Sequence, residues 1–346
     1  MHPAAFRNKK ILLIGLSILL SGALIAGIVY VLLLILGTSG PKQNNEVASD
    51  SATSFDSGTV SQLTGGVASY RNLKGLTLRI NQIDTCDAST VTAYISVSSE
   101  AGVVNKNFDK NDVSVYLDGK KISNFEFNPV DTKRSPLSNM LLVDHSGSMD
   151  ATSMQSAKDA GKQYVNRLQS GDRAGLIQFD HIVEQLVPLT TDKAQVSTAL
   201  DAITPRGDTA IFDALGLGIA SAPDCGRKTV TVLTDGQDTA SKTQTLASSI
   251  EAASKKNMPI FAVGIKSPNF DPSAIREIAE KSGGQYLEAD TPAKIASLYD
   301  NIDGQLDGQF VANFRVSLKK SNSKHTIKII SNIEGSDTGS ERVFYY

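Results

Sequence analysis

The hydrophobic period of this chain changes twice, and that constrains its fold more than any other feature. From Gly75 the apolar residues alternate: Leu76, Leu78 and Ile80, then Val91, Ala93, Ile95 and Val97, then Val113, Val115 and Leu117. Asp118-Gly119 follows as a hairpin signal, and Ile122, Phe125 and Phe127 continue the series. Successive side chains of a strand face opposite ways, so alternation marks half-buried strands. From residue 138 short unbroken apolar runs take over: Met140–Val143, Ala174–Phe179, Thr229–Leu233 and Ile260–Val263. Stretches of helical period separate or follow them, roughly Met154–Leu168, Lys193–Ile203, Ile211–Ala220, Gln244–Asn257, Pro272–Lys281 and Pro292–Gln305. In the first of these Met154, Ala157, Tyr164, Val165 and Leu168 share one face. Strands covered on both faces read as continuous apolar runs, so residues 138–306 predict a doubly wound, mostly parallel α/β sheet. Alternation then resumes at Phe310, Ala312, Phe314, Val316 and Leu318, continues at Ile327 and Ile329, and closes with Val343–Tyr346. The alternating segments make about seven strands, near the number of an immunoglobulin-like sandwich.

In a doubly wound domain the strand starts and the ends of the covering helices share one face. The chain enters at Ser138–Leu141 and leaves near Gly304–Gln309, both on that face. The α/β domain is therefore expected as an insertion into one discontinuous antiparallel β-sandwich.

Ile11 to Leu36 carries no charged residue. As a helix this run would reach about 39 Å, enough to cross a hydrocarbon core of about 30 Å with some tilt. It is longer than the apolar region of a cleavable signal peptide, so an uncleaved anchor is expected. Arg7, Lys9 and Lys10 precede it, and Lys42 is the one basic residue soon after it. The positive-inside rule then places the N-terminus in the cytoplasm and the bulk of the chain outside. The expected order is a cytoplasmic N-terminus (1–10), a transmembrane helix (11–36), a flexible Ser/Thr-rich stalk (37–69), the first part of the sandwich (70–137), the α/β domain (138–306) and the second part of the sandwich (307–346). The absence of an Asn-x-Ser/Thr sequon fits a bacterial cell envelope.

Composition excludes other classes. The net charge is −2 and no Lys/Arg stripe could neutralise a run of phosphates, so nucleic acid is not an expected partner. His2, His145, His181 and His325 show no metal-ligand spacing, and no Gly-x-Ser-x-Gly elbow exists.

The first apolar run of the α/β segment ends in "LLVDHSGSMD", which sets Asp144, Ser146 and Ser148 just past the carboxyl end of a strand. Such sheets bind their ligands there, and three oxygen side chains in a tight turn suit a hard cation. "PRGDTAIFDAL" offers Thr209 and "VTVLTDGQD" offers Asp235. In this order the five residues resemble the metal-ion-dependent adhesion site of the von Willebrand factor A family, Asp-x-Ser-x-Ser…Thr…Asp. "SGDRAGLIQFD", "VPLTTD", "FAVGIK" and "SGGQYLEAD" also look like family segments, so the resemblance spans residues 138–306.

The resemblance implies that Ser146, Ser148 and sometimes Thr209 bind the metal directly, while Asp144 and Asp235 act through water. Mg2+ is the expected ion, with Mn2+ and Ca2+ as alternatives, because the donors are oxygens and Mg2+ retains waters. It further implies a protein or peptide ligand whose acidic side chain completes the coordination, in adhesion or in scaffolding of a complex. The competing readings are a metal-dependent hydrolase with Asp144 or Asp235 as base, and a subunit of a membrane transport or assembly machine. The hydrolase lacks a positioned general acid and an oxyanion donor set. Arg206-Gly207-Asp208 spells RGD, but it lies in the loop immediately before Thr209 and is read as part of that turn. Cys225 falls between the helix ending near Ala220 and the strand starting near Thr229, on the face turned to the sandwich, and Cys86 follows the sandwich's first strand. Outside the cytoplasm the two are candidates for a disulfide.

Overall fold

Two sheets of alternating strands enclose one core, and a third sheet is inserted between their halves. The computed structural model describes residues 66–346 other than 106, 108, 268–269 and 317–322. The apolar run Ile11–Leu36 lies outside the described residues, and among those described no helix is long and apolar enough to cross a membrane.

Before the insertion come β1 (Val67–Tyr70), β2 (Leu76–Asp84), β3 (Thr90–Ser99), β4 (Val113–Leu117), β5 (Lys120–Ile122) and β6 (Glu126–Pro129). After it come β13 (Phe310–Arg315), β14 (Lys324–Ile333) and β15 (Ser336–Tyr345). They form antiparallel sheets of order β1-β15-β14-β4-β5 and β2-β3-β13-β6. Alternation decides what they bury: Leu78, Ile80, Val91, Ala93, Ile95 and Val97 meet Ile327, Ile329 and Phe344 between the sheets. Asp118 and Gly119 both have positive φ, 48° and 77°, as the two-residue turn joining β4 to β5 requires.

The described sandwich thus has nine strands rather than about seven. The additional ones are β1 and the three-residue β5. β1 corrects the stalk boundary at residue 69, because Val67 is already buried and pairs with Arg342 of β15. Backbone pairing to an existing strand orders this segment, which composition alone assigns to the stalk.

The inserted domain contains β7 (Ser138–Asp144), α1 (Ala151–Arg167), β8 (Arg173–Phe179), β9 (Val183–Thr190), α2 (Lys193–Ala202), α3 (Ile211–Ala220), β10 (Lys228–Thr234), α4 (Leu246–Lys255), β11 (Ile260–Ile265), α5 (Ser273–Ser282), β12 (Tyr286–Ala289) and α6 (Ile295–Asp307). Its sheet runs β12-β11-β10-β7-β8-β9, parallel except for the antiparallel edge strand β9. Every residue of β7, β10 and β11 is buried. Leu141 and Val143 pack with α1, α2 and α6, whereas Met140 and Leu142 pack with α3, α4 and α5. Strand pleat and two helical layers account for the unbroken apolar runs.

One irregular strand, β2, lies at the joint with the sandwich, beside contacts from β3 and β15. β6 and β13, by which the chain leaves and re-enters the sandwich, pair side by side from Phe310↔Pro129 to Asn313↔Glu126. In β2 the register with β3 slips between Ile80 and Gln82. This bulge at Asn81 shifts the inward parity from Leu78 and Ile80 to Ile83, so Asn81 and Gln82 both turn to the inserted domain. Asn81 Nδ2 donates to Gly283 O at 2.7 Å, and Gln82 Nε2 donates to Gly226 O at 2.7 Å. The free edge of β2 is covered by side chains of β15 in place of a strand: Thr338 Oγ1 accepts from Leu78 N, Ser340 Oγ accepts from Ile80 N, and Arg342 donates to Ile80 O. Cys86, just past β2, and Cys225, just before β10, are disulfide-bonded with Cα atoms 5.8 Å apart.

Candidate metal centre

Asp144 ends β7 and is fully buried. Its Oδ1 accepts the N–H of Ser146 at 2.8 Å, which folds the next residues into a tight turn. Its Oδ2 accepts the hydroxyl of Thr234, the last residue of β10, at 2.5 Å. Asp150 caps α1 by accepting from Ser153 N at 2.7 Å, so the turn is held between a strand end and a helix start. Within it the hydroxyls of Ser146 and Ser148 lie 3.0 Å apart, and Ser148 Oγ donates to Asp235 Oδ1 at 2.7 Å.

Thr209 is brought in by a second loop. Its carbonyl accepts from Thr239 N at 2.8 Å and Ala240 N at 3.0 Å, tying it to the segment that follows Asp235. Its hydroxyl faces Gly236: a Cβ placed on Gly236 would lie 3.2 Å from Thr209 Oγ1 and 3.7 Å from Ser148 Oγ. All five residues singled out in the sequence therefore converge at one end of the parallel sheet. Among the described residues no group of three or more His, Cys, Asp or Glu side chains could hold a metal. A cation here would rest on three hydroxyls and two carboxylates. Such a donor set is all hard oxygen, and the cradle beside Gly236 is open because that residue has no side chain.

Burial pushes the Asp144 carboxyl up to about 6, against the hydrogen bonds from Thr234 and Ser146. Burial likewise raises Asp235, opposed by the bond from Ser148. Both carboxylates sit where a negative charge lacks water, which a bound cation would remedy.

Residues 140–301 match the sequence profile of the von Willebrand factor type A domain. They form a von Willebrand factor type A domain. The uncharacterized protein sll0103 of Synechocystis is 24% identical over 198 residues, covering 56% of this chain and 47% of that protein. This chain thus spans about half the length of that curated relative. A solved von Willebrand factor type A protein from Catenulispora acidiphila is similar with a TM-score of 0.47 and 15% identity, covering 81% of this chain and 74% of that one. Proximal thread matrix protein 1 of the mussel byssus, solved with a zinc-occupied adhesion-site motif, gives a TM-score of 0.47 at 20% identity, with coverage of 55% and 49%. A domains as a class serve protein interaction and adhesion.

The A domain also uses residues that pattern alone does not single out. Asp180, fully buried just past β8, accepts from Arg206 Nε at 2.9 Å, and its carbonyl accepts from Ala210 N at 2.8 Å. This clamps the Thr209 loop at both ends and accounts for the RGD tripeptide: Arg206 is engaged with a buried carboxylate. His145 is a second clamp, because its Nδ1 lies 2.8 Å from Thr204 O and its carbonyl accepts from Arg206 N at 2.6 Å. No sequence signal beyond proximity to the motif marks these partners. Thr234 is the exception, since it directly precedes Asp235 at the end of an apolar run.

Proposed function

We propose that this A domain is a divalent-cation-dependent protein-binding module held outside the cytoplasm by the N-terminal apolar run. The observation that carries the reading is the convergence of the Ser146, Ser148 and Thr209 hydroxyls with the Asp235 carboxylate around Gly236. In this reading those hydroxyls hold Mg2+, Mn2+ or Ca2+, with Asp144 and Asp235 acting through water. A bound ion would supply an electrophilic centre with a coordination position for an acidic side chain of the partner. This chain's own groups orient the donors: Thr234 and Ser146 N–H hold Asp144, Ser148 holds Asp235, and the Asp180–Arg206 pair holds the Thr209 loop.

Two features support the location. Arg7, Lys9 and Lys10 flank the apolar run on one side. The Cys86–Cys225 bond belongs to chains that live in an oxidising compartment. The role in adhesion or in scaffolding an envelope complex follows from that placement.

The test is calorimetry of the full chain in detergent with Mg2+, Mn2+ and Ca2+. One of these ions should bind to the wild type, and its affinity should fall roughly tenfold or more in Thr209→Ala and Asp235→Ala while both variants stay folded. Equal affinity in all three proteins would reject the assigned site.

A further inference from the structure

Gly236 has two sides. One faces Thr209 and Ser148; the other lines a pocket of about 140 Å3. Ile211 and Phe212, from the first turn of α3, and Ala274 and Ile275, from the first turn of α5, form its apolar walls. The carboxyl side chains among its lining residues belong to Asp238 and Asp271, and none of the lining residues is basic. Asp271 is exposed at the rim, and the Ser273 N–H that it accepts at 2.9 Å keeps its carboxyl below the usual range. Asp238 is held to α3, since its Oδ1 accepts from Phe212 N at 3.2 Å.

We infer that this pocket is a second anchoring subsite of the metal-dependent interface, taking one basic side chain of the partner beside the acidic side chain that reaches the metal. The inference rests on the metal-site reading for its acidic half. Its basic half stands on the pocket alone. A neutral apolar occupant would strip water from two carboxylates and return nothing to them. A lysine or arginine lays its aliphatic stem along Ile211, Phe212 and Ile275 and leaves its charged head at the carboxylates. Because Gly236 is the wall common to both features, the two partner side chains must be near neighbours. The specificity would therefore be for a segment that carries opposite charges side by side.

The probe is N-acetyl-arginine methylamide, titrated into the full chain in detergent and followed at the δ1 methyl groups of Ile211 and Ile275 by NMR. The neutral control is N-acetyl-norleucine methylamide. In EDTA both methyls should shift saturably with the arginine compound, and the affinity should be measurably weaker, up to about fivefold, for the norleucine compound and in Asp271→Asn. Ala274→Met, which fills the pocket and keeps both carboxylates, should abolish the shifts. No shift in the wild type, or equal shifts with the neutral compound or in Asp271→Asn, overturns the subsite. A separate Mn2+ titration, read as broadening of the Ser148 and Thr209 amide signals, tests the metal reading. Absence of broadening sinks that reading without touching the arginine result.

Discussion

The guanidinium of Arg342, in the last strand of the sandwich, donates to the carbonyl oxygen of Ser282 at the end of α5 of the A domain, at 3.0 Å. The same Nη1 donates to Ile80 O at 3.0 Å and to Asn81 O, so one buried cation closes the edge of β2 and the joint together. Burial pushes its pKa down to about 9, yet it remains charged at neutral pH. Removing it would leave three carbonyls inside the joint without a donor, at roughly 1–3 kcal/mol each, against the relief of burying no charge. The carbonyls should win. Arg342→Met is expected to lower stability by about 2–3 kcal/mol in denaturant melts. A midpoint equal to or above the wild type would show that the buried charge is the larger burden.

Gly236 gives a sharper test of the site. In Gly236→Ala the new methyl would press on Thr209 Oγ1 from 3.2 Å. Contacts that short force a neighbour to move by a few tenths of an ångström, and the neighbour here is a proposed metal donor. Mg2+ affinity should fall by roughly tenfold, with a thermal midpoint close to wild type. Unchanged affinity would mean that the hydroxyls do not need the cradle.

Much of this arrangement is legible in the sequence, for reasons that also explain what is not. Leu78 and Ile80, or Met140 to Val143, declare themselves because each must bury a face, and burial imposes a period. Asp144, Ser146, Ser148, Thr209 and Asp235 stand out as oxygen side chains set at strand ends and loops. The edge strand β9 and the short β12 carry no comparable run, since β9 has mostly exposed or half-buried positions and β12 has four residues. β1 is ordered by pairing to residues far away in the chain, which no local pattern encodes. The same holds for Arg342 and Asp180. Each is a charge whose partners become neighbours only in the fold. The break in β2 is an intermediate case: Asn81-Gln82 interrupts the alternation visibly, but its purpose appears only with the joint.

Arg206 is expected to act on the metal site without touching it. Its Nε holds Asp180, and Ala210 N is held by the same residue's carbonyl, so the two together fix the loop that presents Thr209. Arg206→Ala would also take the guanidinium donor from Oδ2 of the buried Asp180 carboxylate, whose Oδ1 keeps the N–H of Ile182 at 2.6 Å. A several-fold loss of Mg2+ affinity should accompany a stability loss of about 1–2 kcal/mol, the order of one hydrogen bond to a charged group. Arg206→Lys should recover less than half of the affinity, because a point charge does not reproduce the guanidinium fork. Full affinity in Arg206→Ala would leave the loop's position independent of the clamp.

Asp303 of α6 should contribute a pH dependence. Burial pushes its carboxyl up to about 6, Asp307, Asp300 and Asp172 add to the rise, and Arg167 of α1, 3.6 Å away, opposes it. The folded state then binds a proton that the unfolded chain releases near the ordinary 3.8. The group's contribution is full below the unfolded value and is lost as pH rises through the folded one. That loss amounts to at most about 3 kcal/mol from the size of the shift. Asp303→Asn should therefore gain stability relative to wild type as pH is raised from about 4 to about 7 in Mg2+. A constant difference between the two proteins across that range would remove Asp303 from the account.

The disulfide closes a loop spanning 139 positions, which by chain entropy alone stabilises the folded state by about 4–5 kcal/mol. It is not the joint's sole fastening. Gly226 N donates to Asp84 Oδ2 at 2.8 Å and Lys228 N donates to Gln82 Oε1 at 3.1 Å, on either side of the strand entry beside Cys225. The Cys86→Ala/Cys225→Ala double variant should therefore fold, with a clearly lower denaturation midpoint. Mg2+ binding should be unchanged, since the bond lies by the start of β10 while Asp235 follows its end. Peptide mapping of the oxidatively purified full chain without reductant should recover the linked Cys86 and Cys225 peptides. Two free thiols, or a double variant as stable as the wild type, would mean that hydrogen bonds and packing alone fasten the A domain to the sandwich.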